Sequence, residues 1–98
     1  AFVDVDGVNF FDEPEGCRSN YWINALILEA DAAPLRDPIV KAANDAGLGC
    51  RPSWRPMHRL DMYKDCERMD LSVAEDIHRR LINIPSSPRL VNAAPDAA

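Results

Sequence analysis

The sequence predicts a two-layer α/β sandwich. Three observations carry that expectation. Short β-prone runs are rich in Val, Ile and Phe, two stretches carry apolar residues at helical spacing, and Pro, Gly or Asp stands between most of the runs. An apolar share of 47% in 98 residues is enough for one small core and argues against disorder.

Val3, Val5, Val8 and Phe10-Phe11 form a short β-prone opening, broken by Gly7. Asp12-Glu13-Pro14-Glu15-Gly16 then reads as a turn, because proline fixes φ and glycine supplies a positive φ. Tyr21 to Glu29 is the strongest strand pattern; its apolar run is interrupted only by Asn24, which implies cover on both faces over part of its length. After the connector Asp31-Ala32-Ala33-Pro34, Asp37 and Pro38 read as N-cap and first residue of a helix. Ile39, Ala42, Ala43 and Ala46 give that helix one apolar side, and Gly47 or Gly49 closes it.

Leu48 to Arg51 is expected as a short strand, and Pro52 to Tyr63, with Pro52 and Pro56, as an irregular loop. Asp70 is placed as the N-cap of a second helix, from Leu71 to about Leu81, with Leu71, Ala74, Ile77, His78 and Leu81 on one face. Ile82-Asn83-Ile84 is a final strand stopped by Pro85. Residues 1–90 are therefore read as one domain and 91–98 as a tail. The pattern leaves parallel and antiparallel pairings both open.

A net charge of −5 argues against nucleic acid and anionic membranes as partners. Nine arginines against two lysines are read as coding bias, although guanidinium also suits planar recognition of phosphate. No apolar run approaches the ~18 residues of a membrane span, and the first residues lack the pattern of a signal peptide. Cys17, Cys50 and Cys66 contain no Cys-x-x-Cys pair, which speaks against zinc and for reduced thiols in a cytoplasmic setting. No glycine-rich phosphate loop or nucleophile elbow is present.

Three stretches place polar and aromatic residues beside apolar runs: Gly16 to Asn24 leading into Ala25-Leu26-Ile27-Leu28, Arg51 to Tyr63, and Ala74 to Ser87. In this order they resemble the C-terminal small domain of the DegT-type pyridoxal-phosphate-dependent nucleotide-sugar aminotransferases. The similarity is greatest to members serving nonulosonate sugars, and it covers roughly residues 8–90. The resemblance implies a mostly antiparallel small sheet with two main helices on one face. It also implies that the cofactor lysine, its acidic partner and the phosphate cup lie on a large domain outside the matched region. Lys41 and Lys64 match no cofactor-lysine segment. The expectation is a free-standing or truncated small domain, without cofactor and without catalysis of its own. Its partner would be a second copy or a chain carrying the large domain, and its ligand a nucleotide sugar.

By the same resemblance the substrate-facing residues are Arg18, Asn20, Trp22, Trp54, His58 and Tyr63. From the residues alone, Arg18 stands where a loop enters a strand, and a guanidinium there could clamp a phosphate or simply pair with Asp12, Glu13 or Glu15. Trp22 is expected mainly in core packing. Trp54 and His58 are expected on one exposed concavity with Arg18 or Asn20 in reach; an ordinary structural role for His58 weighs equally. His78, on the apolar helix face, is read as structural. Two alternatives stand beside the aminotransferase reading. One is a self-associating module using Phe2, Val3, Val8, Phe10, Phe11, Trp54 and Met57. The other is a small-ligand binder using an Arg18–Trp54–His58 cleft.

Overall fold

The computed structural model describes residues 2–87. The expected tail, 91–98, and the end of the domain at residue 90 lie outside them. Four strands form one antiparallel sheet: β1 (Val8–Phe10), β2 (Asn24–Leu28), β3 (Arg51–Pro52) and β4 (Leu81–Ile84), in the spatial order β1-β2-β4-β3. With the helices α1 (Arg36–Asp45) and α2 (Ser72–Arg80) the result is the small α/β sandwich the pattern implies, and the pairing question is answered as antiparallel throughout.

Register follows from strand periodicity. Leu26 faces Ile82 on one side and Phe10 on the other, and Leu28 faces Val8. Directly opposite residues share a face, so these side chains collect on one side of the sheet. Leu26, Leu28, Ile82 and Cys50 are the buried cluster, with Val40 and Ala43 of α1 packed against it. Ala25 and Ile27 alternate to the other face and are half-buried, so the second face of this strand is covered in part.

β2 is shorter than the apolar run suggests. Tyr21 has φ of +50°, a conformation that breaks a strand. Its N–H donates to the Ser19 hydroxyl (3.0 Å), and the Trp22 N–H donates to Asn20 Oδ1 (3.0 Å). Short polar side chains thus capture the backbone locally, and pairing begins only at Asn24. Trp22, expected in the core, is instead 74% exposed.

The first helix also starts differently from expectation. Ala30–Leu35 is already wound as a 3₁₀ turn, and α1 follows from Arg36 with no side-chain cap. Asp37 accepts from the Arg36 guanidinium (2.9 Å) in place of capping. Pro38 still falls in the first turn, where its missing N–H costs nothing. The helix ends as expected: Gly47 takes φ of +84° just past the Ala46 C-cap. Beyond it, the Asn44 carboxamide accepts from the Cys50 N–H and donates to its carbonyl, both at 2.9 Å. That pair of bonds aligns the chain for β3, which forms at Arg51–Pro52 and not at Leu48–Arg51.

In α2, Asp70 accepts from the Ser72 hydroxyl (2.5 Å) and caps nothing. The helix runs directly into β4. Its predicted apolar face is not a core face: no α2 residue is buried, and Ala74 is exposed. Arg80 anchors the helix, donating to the Leu28 carbonyl (2.8 Å) and to Asp76 (2.6 Å).

Candidate functional site

Two loops carry the polar and aromatic residues singled out in the sequence, and the sheet holds both. Residues 11–23 approach the start of β2; residues 53–71 connect β3 to α2. In the first, Glu13 accepts from the Ser19 N–H (2.6 Å), Asn24 Nδ2 donates to the Tyr21 carbonyl (3.2 Å), and the Tyr21 ring stacks on Phe10 with centroids 6.3 Å apart. The Ser86 hydroxyl, just beyond β4, donates to the Trp22 carbonyl (2.7 Å). These contacts fix the loop while leaving the Trp22 indole in solvent.

Trp22 and Trp54 line one open cavity of about 430 Å³ together with Arg51, Asn83 and Ser86. Its floor follows from register: Arg51 on β3 faces Asn83 on β4, so both side chains lie on the same side of the sheet edge. Trp54 is 77% exposed. Aromatic faces, a guanidinium and a carboxamide in one concavity can stack on a planar or sugar ring while binding an anionic group.

His58 and Tyr63 line a second, mostly apolar cavity of about 380 Å³ with Met57, Cys66, Arg68 and Leu71. The single concavity expected for Trp54 and His58 is therefore divided in two. The cause is an ion-pair network on α2. Glu75 accepts from His58 Nε2 and from the Arg59 guanidinium, whose Nε lies 3.0 Å away. Bonds from Arg59, then His58, hold the Glu75 carboxyl below the usual carboxylate range. His58 is thereby turned toward α2, its side chain only 17% exposed.

Arg18 and Asn20 line neither cavity. Asn20 is occupied in its turn. Glu13, one of the carboxylates considered for Arg18, takes the Ser19 backbone instead. His78 has the structural role expected of it: Nδ1 lies 2.7 Å from the Ser53 hydroxyl, and its carbonyl accepts from Arg36 (2.5 Å). Burial, then the nearby Arg36 and Arg59 charges, push its pKa down. Arg79 and then Arg80 hold Asp76 below its ordinary range, and burial raises the Cys50 thiol. Among the described residues no group of His, Cys, Asp and Glu is arranged to hold a metal, and no helix is long and apolar enough to cross a membrane.

Sequence reasoning missed Arg51, Asn83 and Ser86 as cavity residues. For Arg51 and Asn83 the signal that could have found them is strand register, which sets them opposite each other once edge strand β3 is paired with β4.

The family model for the DegT/DnrJ/EryC1/StrS aminotransferases matches residues 1–97. The chain belongs to that family. Among curated members, GDP-perosamine synthase of Vibrio cholerae is 29% identical over 79 residues, covering 80% of this chain and 22% of that protein. The GDP-perosamine synthase of Caulobacter vibrioides is 28% identical over 76 residues, covering 78% of this chain and 20% of its own length. The chain thus spans about a fifth of these aminotransferases. Helicobacter pylori PseC, an aminotransferase involved in the biosynthesis of pseudoaminic acid, shares the fold with a TM-score of 0.57 at 16% identity, over 64% of this chain and 17% of PseC.

Proposed function

We propose that this chain is the C-terminal small-domain portion of a pyridoxal-phosphate-dependent nucleotide-sugar aminotransferase. In this reading it forms one wall of the sugar-nucleotide cleft and contributes no cofactor lysine. The observation that carries the reading is the Trp22–Trp54 cavity with Arg51 and Asn83 at its edge, in a chain of this aminotransferase family. The indoles would stack on a base or on the apolar face of a sugar ring, and Arg51 would hold a diphosphate oxygen. Asn83 and Ser86 would bind hydroxyls. The names of the two perosamine synthases point to a GDP-linked sugar as the first ligand to try.

Pyridoxal phosphate supplies the electron sink for amino-group transfer when bound to its enzyme. The lysines here do not fit that group. Lys41 Nζ pairs with Asp45 (2.6 Å) on an exposed helix face, Lys64 is exposed in the loop after Tyr63, and neither lines either cavity. No step is assigned to this chain through the cofactor, and its place is on a large domain in the same or another chain.

The test is a titration with a GDP-linked hexose, followed through the indole N–H signals of Trp22 and Trp54. Both are expected to shift saturably, and R51Q to weaken the binding about tenfold or more, as loss of a charge-assisted hydrogen bond does. Indole signals that stay unmoved at millimolar ligand would contradict the reading.

A second reading, a self-associating module, is favoured by one observation. Of the residues expected to serve it, Val3, Phe11, Trp54 and Met57 are exposed, whereas Phe2, Val8 and Phe10 pack against the core.

A further inference from the structure

Strand β1 is an edge of the sheet and pairs with β2 alone. Its bonds to that neighbour fall on alternate residues. The Gly7 carbonyl accepts from the Glu29 N–H (2.8 Å), and the Phe11 N–H donates to the Ala25 carbonyl (2.9 Å). Antiparallel alternation gives Asn9 to β2 as well, and it turns the N–H and C=O of Val8 and Phe10 outward. Among the described residues no other backbone group takes these up. A cavity of about 560 Å³ adjoins the strand, lined by Phe2, Val3, Asn9, Phe10 and Asp12. An unpaired edge of this kind is a template for one more strand.

The charge around the edge has one sign. Asp4 and Asp6 precede β1, Asp12, Glu13 and Glu15 follow it, and all five are exposed. Among the described residues none of them is in an ion pair. Glu13 accepts from the Ser19 N–H, which leaves its charge in place. None of the chain's 11 Lys and Arg stands in this stretch, so the whole net charge of −5 belongs to it. Acidic flanks disfavour a second copy at this edge. The antiparallel register that sets Val8 against Phe10 of the copy also sets Asp6 against its Asp12, and like charges directly opposite are destabilising. The same flanks attract a strand with basic ends, and they select against acidic ones.

We propose that the outer edge of β1 docks a basic, extended segment of another protein by strand addition. Its backbone pairs with Val8 and Phe10, its Lys or Arg flanks face the carboxylates on either side of β1, and an apolar side chain enters the Phe2–Val3–Phe10 cavity. This edge shares no lining residue with the Trp22–Trp54 cavity and works whatever fills that cavity.

The probe is a blocked peptide of alternating valine and threonine with lysines at both ends, titrated into the ¹⁵N-labelled 98-residue chain. The same peptide with glutamates in place of the lysines is the control. The Val8 and Phe10 amides are expected to shift saturably and to gain protection from hydrogen exchange, with a smaller gain at Asn9, which is already bonded to β2. The lysine peptide should bind about tenfold or more tighter than the glutamate peptide. The double variant D6N/D12N, changed at two exposed sites, should weaken the lysine peptide about threefold or more. Equal binding of the two peptides, binding without protection at Val8 and Phe10, or refusal of both at millimolar concentration would each overturn the proposal. So would an unchanged affinity in D6N/D12N, or protection of Val8 and Phe10 that rises with the concentration of the chain alone, the mark of pairing between copies.

Discussion

Glu75 on α2 ties His58 and Arg59 of the preceding loop to the helix. Its carboxyl titrates below the usual range in the folded chain. The unfolded state therefore binds the proton first, and the stability this residue contributes is present above about pH 4.5 and is lost as pH falls through the folded value. Urea unfolding should find E75Q less stable than the parent at pH 7, with the gap narrowing toward pH 3; a gap independent of pH would show that the contacts are not ionic. His78 obeys the opposite chemistry with the same slope. Its folded pKa is depressed, so the unfolded state again takes the proton first, and stability falls as pH drops below about 6.5. The parent should lose stability between pH 7 and pH 5.5, and H78Q should lose less over that window. The sequence marks His58 and His78 as the histidines to explain; helical phase puts His78 on an apolar face that is not a core face here, and the ring meets the Ser53 hydroxyl. It does not show that His58 meets Glu75, because that contact needs both the phase of α2 and the path of a loop with no repeating pattern.

At the scale of elements, the short strands were legible in part: β1 forms at Val8–Phe10 without Val3 and Val5, and β4 contains the expected Ile82–Ile84 but begins at Leu81, which the pattern gave to the helix. The helix ends were less so. Asp37 and Asp70 are ordinary N-cap residues in sequence, yet one binds Arg36 and the other Ser72, since a side chain beside a cap position takes whichever donor comes nearest. Tyr21-Trp22-Ile23 reads as strand because β-propensity ignores what Ser19 and Asn20 do to the backbone. The cavity residues Arg51 and Asn83 depend on pairing β3 with β4, a long-range contact that no local pattern encodes. Ile82, 1% exposed, stands where β4, β2 and β3 meet. I82A should cost about 2–5 kcal/mol by urea unfolding, as truncation of a buried isoleucine does. V73A on the exposed face of α2 should stay within about 0.5 kcal/mol. Equal losses at the two sites would mean that the sheet is not the seat of stability. G47A should cost about 1–2 kcal/mol, because alanine resists the positive φ that ends α1.

For the whole molecule, the balance of surface is the informative quantity. Four residues make the buried cluster, while Trp22, Trp54 and several methionines stand in solvent. In the self-association reading a second copy would cover these residues; in the aminotransferase reading a larger neighbouring domain would. Light scattering behind size exclusion, in reducing buffer to keep the exposed Cys17 and Cys66 from cross-linking, should find a mass above 10.9 kDa at micromolar concentration. A mass of one chain at every loading would remove self-association and leave a large domain as the cover. In the proposed function this chain lends a substrate-facing surface and leaves the amino-transfer chemistry to another part of the enzyme. Incubation with pyridoxal phosphate, borohydride trapping and peptide mass spectrometry test it most directly. The expected result is no stoichiometric adduct at Lys41 or Lys64, at cofactor concentrations that leave control proteins unlabelled. A stoichiometric adduct on either lysine would contradict it.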